Sequence, residues 1–240
     1  MTTDRLGEIL AAEVVPRLPV NGTTNPRAVL SLCSDADRAK RWADWELLCR
    51  RIGRRYQDVD LETWEYSPDP EVASRQRSIL ARLEAFRSEI EARIAAGHGL
   101  VLFGPPGSGK DHLMVAMLRA AIRHGRSVRW ENGLDLLGNL RDDIDTKRPE
   151  SDRLKELLAP DVLAISDPVP PWGPLTQFQA AFLFRLIDRR YRDAKPIYVT
   201  GNFADGTDAA DRLGTQLVDR LKDGALTLKC NWPSHRMAAK

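Results

Sequence analysis

The chain has 240 residues, a formal net charge of +2, 42% hydrophobic residues and 29% charged residues. These values are ordinary for a globular protein with one sizeable core and a small appendage. No apolar run approaches the roughly 20 residues needed to cross a bilayer, and the start, MTTDRLGEIL, lacks the pattern of a secretory signal, so we expect a cytoplasmic protein without a membrane span.

Residues 1–66 are expected to form one helical unit. Prolines divide the first 26 residues into short pieces, and the text from Pro26 to Ile52 is compatible with a helix. The turn Ser67-Pro68-Asp69-Pro70 marks a boundary, because proline disfavours helix in the residue before it. We therefore expect an N-terminal partner-binding region at 1–66 and a core at 67–240.

Basic residues are concentrated in this N-terminal region. They are diluted by Asp44 and Glu46, so the cluster either contacts phosphates or forms a solvated helix face. Tryptophan and arginine are enriched at interface hot spots, and the region is therefore expected to hold a partner site. The basic residues are Arg38, Lys40, Arg41, Arg50, Arg51, Arg54 and Arg55, and the tryptophans are Trp42, Trp45 and Trp64.

Helices and strands alternate beyond the boundary. Apolar residues from Val72 to Ile94 recur every three or four positions, which predicts one long amphipathic helix that ends at Gly97. Short, almost continuously apolar segments separated by helical text indicate a parallel sheet covered on both faces. The predicted strands are Leu100–Phe103, Val128–Trp130, Val162–Ile165, Ile197–Thr200 and Leu226–Leu228.

A phosphate-binding loop follows the first predicted strand and precedes a helix over 111–124. The spacing is G-x-x-x-x-G-K, in which glycines let backbone N–H groups surround phosphate oxygens and the lysine reaches the β- and γ-phosphates. The N-terminus of the following helix adds its positive dipole end. The nucleotide-binding residues are Gly104, Pro105, Pro106, Gly107, Ser108, Gly109 and Lys110.

The next residue, Asp111, departs from the motif. Serine or threonine is usual there, because a hydroxyl completes the magnesium shell. A carboxylate instead puts negative charge beside the phosphates, and like charges 4 Å apart repel by roughly 4 kcal/mol at an effective dielectric of 20. Without compensation, Asp111 should weaken nucleotide binding.

A second acidic motif, DVLAISD, ends at Asp167. Its form is that of a buried strand leading to the Walker B position, where a first acid supports magnesium and a second polarises the attacking water. In the register that keeps the apolar quartet unbroken, Ser166 takes the first place and Asp167 the second. A register shifted by one makes Asp167 the magnesium residue and leaves Pro168 in place of the catalytic acid.

The two departures admit a single explanation. The phosphate loop has exchanged a hydroxyl for a carboxylate at Asp111, and the Walker B strand has exchanged a carboxylate for a hydroxyl at Ser166. Swapped in this way, the pair still offers a carboxylate and a hydroxyl to a hard cation. The alternative is that both are lesions in a protein that no longer hydrolyses nucleotide.

Several motifs together resemble the DnaC/IstB group of AAA+ ATPases, which contains helicase loaders and transposition helpers. The resemblance extends from about residue 56 to 238 and does not cover the first 55. Its most specific part is GLVLFGPPGSGKDHL, which is similar to the family's GLLLYGPPGTGKTHL apart from Asp111. Further matches are DVDLETW at 58–64, Arg190-Tyr191 with Lys195-Pro196, VTGN at 199–202, Asp219-Arg220-Leu221 and PSHR at 233–236.

The resemblance implies an α/β fold with a five-stranded, mainly parallel AAA+ sheet, a small helical N-terminal region and a minimal or absent lid. It implies ATP and Mg²⁺ as cofactors, with Asp111, Ser166 and Asp167 at the metal. Asp167 would polarise water, Asn202 would be the sensor-1 residue, and Arg236 would be sensor 2. Arg220 falls on the arginine finger that reaches a neighbouring subunit, which implies self-assembly.

By the same resemblance, the expected function is an ATPase that loads a replicative DnaB-type helicase onto single-stranded DNA. Within the same class, the alternative is an IstB-like helper of a transposase on duplex DNA. A hypothesis from another class is a nucleotide-gated adaptor that binds ATP or ADP without turnover. Release of phosphate would separate the ATPase from the adaptor.

Overall fold

The computed structural model of the protein describes residues 34–171 and 173–235. Its helices are α1 (Asp35–Ile52), α2 (Pro70–Ser88), α3 (Ile90–Ala95), α4 (Lys110–Arg123), α5 (Gly133–Asp145), α6 (Glu150–Leu158), α7 (Gln177–Arg192), α8 (Gly206–Leu213) and α9 (Thr215–Lys222). Its strands are β1 (Leu100–Phe103), β2 (Val128–Asn132), β3 (Val162–Ser166), β4 (Ile197–Gly201) and β5 (Leu226–Lys229). Among these residues, no helix is long and apolar enough to cross a membrane.

The strands form one sheet in the order β2-β3-β4-β1-β5. Every neighbouring pair is parallel, which confirms the predicted sheet, and each strand contains its predicted segment. Because β4 lies between β3 and β1, the carboxyl ends of these three strands adjoin one another. Chain segments that follow them therefore meet at one edge, the usual position of a site in an open α/β sheet.

Helices cover both faces of this sheet. Alternate residues of β3 point to opposite sides: Val162 and Ala164 belong to one hydrophobic cluster, with side chains of α1, α2 and α4. Leu163 and Ile165 belong to the other, with side chains of α5, α7 and α9. Burial on both faces explains why the strands are almost continuously apolar.

The N-terminal segment packs directly on the core. α1 begins with a capping box between Ser34 and Asp37. Trp45, Leu48 and Ile52 of α1 lie in the same cluster as the phosphate-loop helix α4. The expected turn does precede α2. Asp69 caps the N-terminus of this helix, because its side chain accepts hydrogen bonds from two backbone N–H groups. Side chains before and after the turn nevertheless belong to one core.

Buried ion pairs connect this segment to α4. Asp60 is 5% exposed and pairs with Arg123 at 2.7 Å and Arg119 at 3.5 Å. Arg119 also donates to the Val59 carbonyl at 3.0 Å. An unpaired buried carboxylate is costly, so these pairs hold the segment in one position along α4.

The single long helix predicted to end at Gly97 is two helices, and this prediction is wrong at Glu89. The backbone of Glu89 leaves the helical region (φ −114°, ψ 18°). The Ser88 hydroxyl donates to the Ala85 carbonyl at 2.8 Å, a local bond that competes with regular helix. Ile90 still reaches the core, so the interruption leaves the hydrophobic period almost unchanged. Gly97 does stop α3, with φ +74°.

Arg190, matched above to the family's RY text, is a structural residue. Its side chain is fully buried, and its guanidinium donates to the carbonyls of Leu157, Pro160, Asp161 and Pro196 at 2.8–3.0 Å. Burial lowers the pKa of Arg190 to about 10. This one side chain therefore joins α7 to the segments that enter β3 and β4.

We expect Arg190→Met to lower the free energy of unfolding by about 3–5 kcal/mol, because it leaves four buried carbonyl groups without their charged donor. Urea denaturation would measure the loss. Arg189→Met is the matched control, since Arg189 is exposed on the same helix. Equal losses in the two variants would contradict the structural role of Arg190.

Candidate nucleotide and magnesium site

The phosphate loop connects β1 to α4 through glycines that adopt positive φ. A Cβ on Gly107 would lie 2.0 Å from the Ser234 hydroxyl, and one on Gly109 would lie 2.5 Å from the Trp64 ring. Both glycines have φ near +80°, a conformation that side chains rarely tolerate. The loop is thus a tight backbone cradle at a helix N-terminus, with other chain segments packed against it.

Lys110 is buried at the centre of this cradle, 6% exposed. Its ammonium donates to the carbonyls of Gly104 at 3.0 Å and Pro105 at 2.8 Å, and to the Asn202 side-chain oxygen at 2.9 Å. The structure therefore brings Asn202, the residue matched to sensor 1, into contact with the lysine expected to bind phosphates.

Asp111 and Ser166, the two departures from the usual motifs, are in direct contact. The Ser166 hydroxyl donates to Asp111 Oδ1 at 2.9 Å. Sequence reasoning missed a third member: the Thr200 hydroxyl donates to the same oxygen at 2.7 Å. Its position two residues before Asn202, at the end of a predicted strand, was the available signal. The contact supports the register that puts Ser166 in the first Walker B place.

Asp167 follows β3 at the same edge. Its φ is +49°, and its N–H donates to the Thr200 carbonyl at 3.0 Å. Burial raises the pKa of Asp167, and the Asp111 carboxylate raises it further, against the opposing effect of Lys110. Its Oδ1 is buried and has no hydrogen-bond partner among the described residues, a condition that a bound water or ion would relieve.

ATP and Mg²⁺ both fit this arrangement. The cradle and helix N-terminus suit phosphate, while the Asp111 and Asp167 carboxylates and the Ser166 hydroxyl supply oxygen ligands. No group of three or more His, Cys, Asp or Glu side chains that could hold a metal occurs in the described residues. Mg²⁺ does not require one, because it usually binds through one or two carboxylates, substrate phosphates and waters.

The end of the described chain packs over the phosphate loop. The Trp232 indole donates to the Ser108 carbonyl at 2.8 Å, and the His235 N–H donates to the Gly107 carbonyl at 2.9 Å. The His235 ring lies edge-on to Trp64, with centroids 5.0 Å apart. Arg236, the expected sensor-2 residue, comes next but lies outside the described residues, as does any lid after it.

A small cavity of about 130 Å³ opens beside Asp167 and Asn202. Arg212 of α8 also lines it, and its guanidinium donates to the carbonyls of Asn202 at 3.1 Å and Pro170 at 3.2 Å. A lone arginine in an amphipathic helix gave no signal in the sequence. Its contacts hold the backbone of Asn202, so Arg212 supports the position of this residue.

Arg220 lies near the amino ends of the strands, whereas the phosphate loop lies at their carboxyl ends. The helix that carries it, α9, ends at Lys222 just before β5. The first residue of β5, Leu226, pairs with Leu100, the first residue of β1, whereas the phosphate loop follows Phe103 at the other end. The structure does not bring Arg220 to the site of its own chain, and a finger role requires a second subunit.

Members of the N-terminal basic cluster differ in their contacts. Arg41 donates to the Arg123 carbonyl at 3.0 Å, and Arg51 pairs with the buried Glu131 at 3.0 Å, so both have structural contacts. Arg54 and Arg55 are exposed in the short 3-10 helix after α1 and are better placed to contact phosphates.

Two of the tryptophans in the same region are not a partner surface. Trp45 is 3% exposed and Trp64 is 7% exposed, and Arg119 covers the Trp45 ring at 5.0 Å. The prediction that these two side chains contribute interface hot spots is therefore wrong. Both side chains belong to the hydrophobic core cluster that includes α4.

Known proteins similar to this chain include a helicase loader and a protein of an insertion sequence. One is the replicative helicase loader DnaC of Buchnera aphidicola (strain APS), 26% identical over 170 residues that cover 69% of this chain and 66% of that protein. The other is the putative ATP-binding protein of insertion sequence IS21 from Pseudomonas aeruginosa, 32% identical over 153 residues that cover 62% of this chain and 56% of that protein. The chain thus spans just under two thirds of the first and little more than half of the second.

Solved structures show the same fold. The crystal structure of the DnaC helicase loader matches 74% of this chain and 99% of that chain, with a TM-score of 0.64 and 25% identity. AMPPCP-bound DnaA from Aquifex aeolicus matches 74% of this chain and 50% of that one, with a TM-score of 0.57 and 16% identity, a likeness of fold alone. These matches confirm the predicted α/β AAA+ fold.

A family model described as IstB-like ATP binding protein matches residues 33–240. This match covers the phosphate loop, the Asp111–Ser166 pair and Asn202, and it confirms the resemblance inferred from the motifs. The chain therefore belongs to the family of IstB-like ATP binding proteins.

Proposed function

We propose that this protein is a Mg²⁺-dependent ATPase that assembles with a replicative helicase and loads it onto single-stranded DNA. The observation that carries the nucleotide chemistry is the contact of Asp111 with Ser166 beside the phosphate loop. It keeps one carboxylate and one hydroxyl together although their usual positions are exchanged. The likeness to DnaC loaders in sequence and fold supports the class of partner.

The residues of this chain divide the work of hydrolysis. Lys110 and the loop N–H groups bind and orient the phosphates, and Asp111 with Ser166 faces the cation. A Mg²⁺ ion held there would neutralise the charge that develops on the phosphate oxygens. Asp167 accepts a proton from the attacking water, a task that suits a carboxylate of raised pKa. Asn202 orients that water, and Arg220 acts on the nucleotide of the adjacent subunit.

The second candidate is a transposition helper that assembles with a transposase. It is favoured by the family match and by the IS21 relative at 32% identity. Both candidates use the same nucleotide site, so they differ in the protein that the N-terminal region recognises and in the form of DNA on which that protein acts.

We place the partner surface on the outer face of α1, within the region 1–66. Leu47 is 55% exposed there, a large apolar side chain near the exposed Arg54 and Arg55 in the chain. Trp45 and Trp64 are buried, and Leu47 is more exposed than Tyr66, the other large apolar side chain exposed in the described part of this region. Arg54 and Arg55 are the candidates for contact with the DNA backbone.

We expect Leu47→Glu to weaken the complex with the replicative helicase of the same organism at least tenfold, because it places a charge in an apolar contact. Size-exclusion chromatography and titration of the full-length chain with ATP, with ADP and without nucleotide would measure it. Ile144→Glu is the matched control, because Ile144 of α5 is 59% exposed but belongs to the core region.

Two outcomes would change the proposal. Loss of the complex in Ile144→Glu but not in Leu47→Glu would move the partner surface to the core. A complex with the transposase, and none with the helicase, would replace the loader by the transposition helper.

A further inference from the structure

Thr200 contacts both acidic residues of the site, the side chain of Asp111 and the backbone of Asp167. Its hydroxyl donates to Asp111 Oδ1 at 2.7 Å, and its carbonyl accepts the N–H of Asp167 at 3.0 Å. The side chain is 1% exposed. A hydroxyl this deeply buried needs a hydrogen-bond partner. Here the partner is Asp111, the residue at which the phosphate loop departs from its usual motif.

The sheet register explains why two hydroxyls reach one carboxylate oxygen. Ser166 and Thr200 are directly paired across β3 and β4, so their side chains project on the same face at the carboxyl ends of adjacent strands. Asp111, in the first turn of α4, reaches this pair. Both hydroxyls occupy Oδ1, and Oδ2 accepts no hydrogen bond within the described part of the chain.

The terminal torsion of an aspartate side chain is broad, so its carboxylate turns unless donors hold it. In the usual motif the magnesium-supporting acid belongs to the strand. Exchange of the two groups moves the carboxylate to the helix, where donors on one oxygen are needed to fix its orientation. Bonds to an ionised acceptor are the stronger kind, and two of them on Oδ1 define the position of Oδ2.

We propose that Thr200 is a positioning residue for the magnesium site, whose hydroxyl acts with Ser166 to hold Asp111 Oδ1 and thereby presents Oδ2 to a divalent cation bound with the nucleotide. The inference rests on the proposed ATP and Mg²⁺ site and adds to it a residue that the phosphate-loop and Walker B motifs do not contain. Asp111, Ser166 and Thr200 act as one unit.

The test compares Thr200→Val, which keeps the shape and removes the hydroxyl, with Thr200→Ser, which keeps the hydroxyl. The readout is the affinity of a fluorescent ADP analogue in Mg²⁺ divided by its affinity in EDTA. We expect Thr200→Val to reduce this ratio about tenfold, the effect of one lost hydrogen bond to a charged group. Thr200→Ser should stay within about twofold of the unmodified protein.

Thr227→Val is the matched control, because Thr227 is a half-buried threonine of β5 outside the site. Urea denaturation without nucleotide reports any general loss of stability. A ratio unchanged in Thr200→Val, even with lowered stability, would overturn the inference and leave Thr200 a packing residue. Equal losses in Thr200→Val and Thr200→Ser would also overturn it, since the hydroxyl would then not be the cause.

Failure of the proposed function has a different signature. If the unmodified protein binds no nucleotide with or without Mg²⁺, the ATP site itself is refuted. If it binds ADP with a clear Mg²⁺ dependence that Thr200→Val retains, the ATP site stands and the role of Thr200 falls.

Discussion

Replacement of Arg220 by alanine should abolish the part of ATP hydrolysis that depends on assembly, while nucleotide affinity stays within about twofold. An arginine that stabilises charge on the transferring phosphoryl group is worth on the order of 10³-fold in rate. Arg220 cannot supply that charge to its own nucleotide, because it lies near the amino ends of the strands, whereas the phosphate loop lies at their carboxyl ends. Its effect should therefore appear only when a second subunit is present.

The measurement is the ATPase rate per subunit as protein concentration rises. Arg220 pairs with Asp188 at 3.0 Å and lies over the Phe184 ring at 4.9 Å, so a melting curve should accompany each rate. Arg192→Ala is the matched control, because Arg192 pairs with the same Asp188 at 3.0 Å but is 66% exposed. A rate that does not rise with concentration in the unmodified protein, or rises equally in Arg220→Ala, would refute the finger role.

The second large effect is expected at the Asp111–Ser166 pair. If the pair is a functional exchange, nucleotide binding should depend steeply on Mg²⁺, since without the ion the Asp111 carboxylate repels the phosphates. Asp111→Thr should reduce hydrolysis, because the Asp111 carboxylate is then missing from the magnesium site and the buried hydroxyls of Ser166 and Thr200 lose their charged acceptor. Ser166→Asp should also be poor, because two carboxylates 4 Å apart repel by roughly 4 kcal/mol at an effective dielectric of 20.

The double substitution restores the usual arrangement of hydroxyl and carboxylate and should recover activity. The coupling between contacting residues should fall within about 0.5–3 kcal/mol in a double-mutant cycle. Phosphate release and Mg²⁺-dependent ATP binding would be measured for all four proteins. Asp111→Asn is a useful control, because its side-chain oxygen can still accept from Ser166 and Thr200 but carries no charge.

The lesion hypothesis predicts a different pattern of activities. If the two substitutions are lesions, each reversion should help by itself and their effects should add. Improvement by Asp111→Thr alone would refute the exchange and make a nucleotide-gated adaptor without turnover the better interpretation.

The surroundings of the site show which features local sequence cannot predict. Trp45 and Trp64 are of a residue type that is enriched at interfaces, yet both are buried. They are buried because the N-terminal segment packs along α4, where Asp60 pairs with Arg123. The break at Glu89 was hidden because a single irregular residue hardly changes the hydrophobic period. Arg190 matched a family motif, but its structural role depends on four carbonyls from two separate segments, the ones that enter β3 and β4.

What the sequence determined by itself is local. The strands, the phosphate loop and the helix after it follow from hydrophobic period, glycine spacing and a lysine at one fixed offset, all within a few tens of residues. The contact of Asp111 with Thr200, 89 residues later, was decided only by the tertiary structure. It exists because β4 inserts between β3 and β1, and the order of strands in a parallel sheet is set by how the crossover helices pack, which no local pattern records.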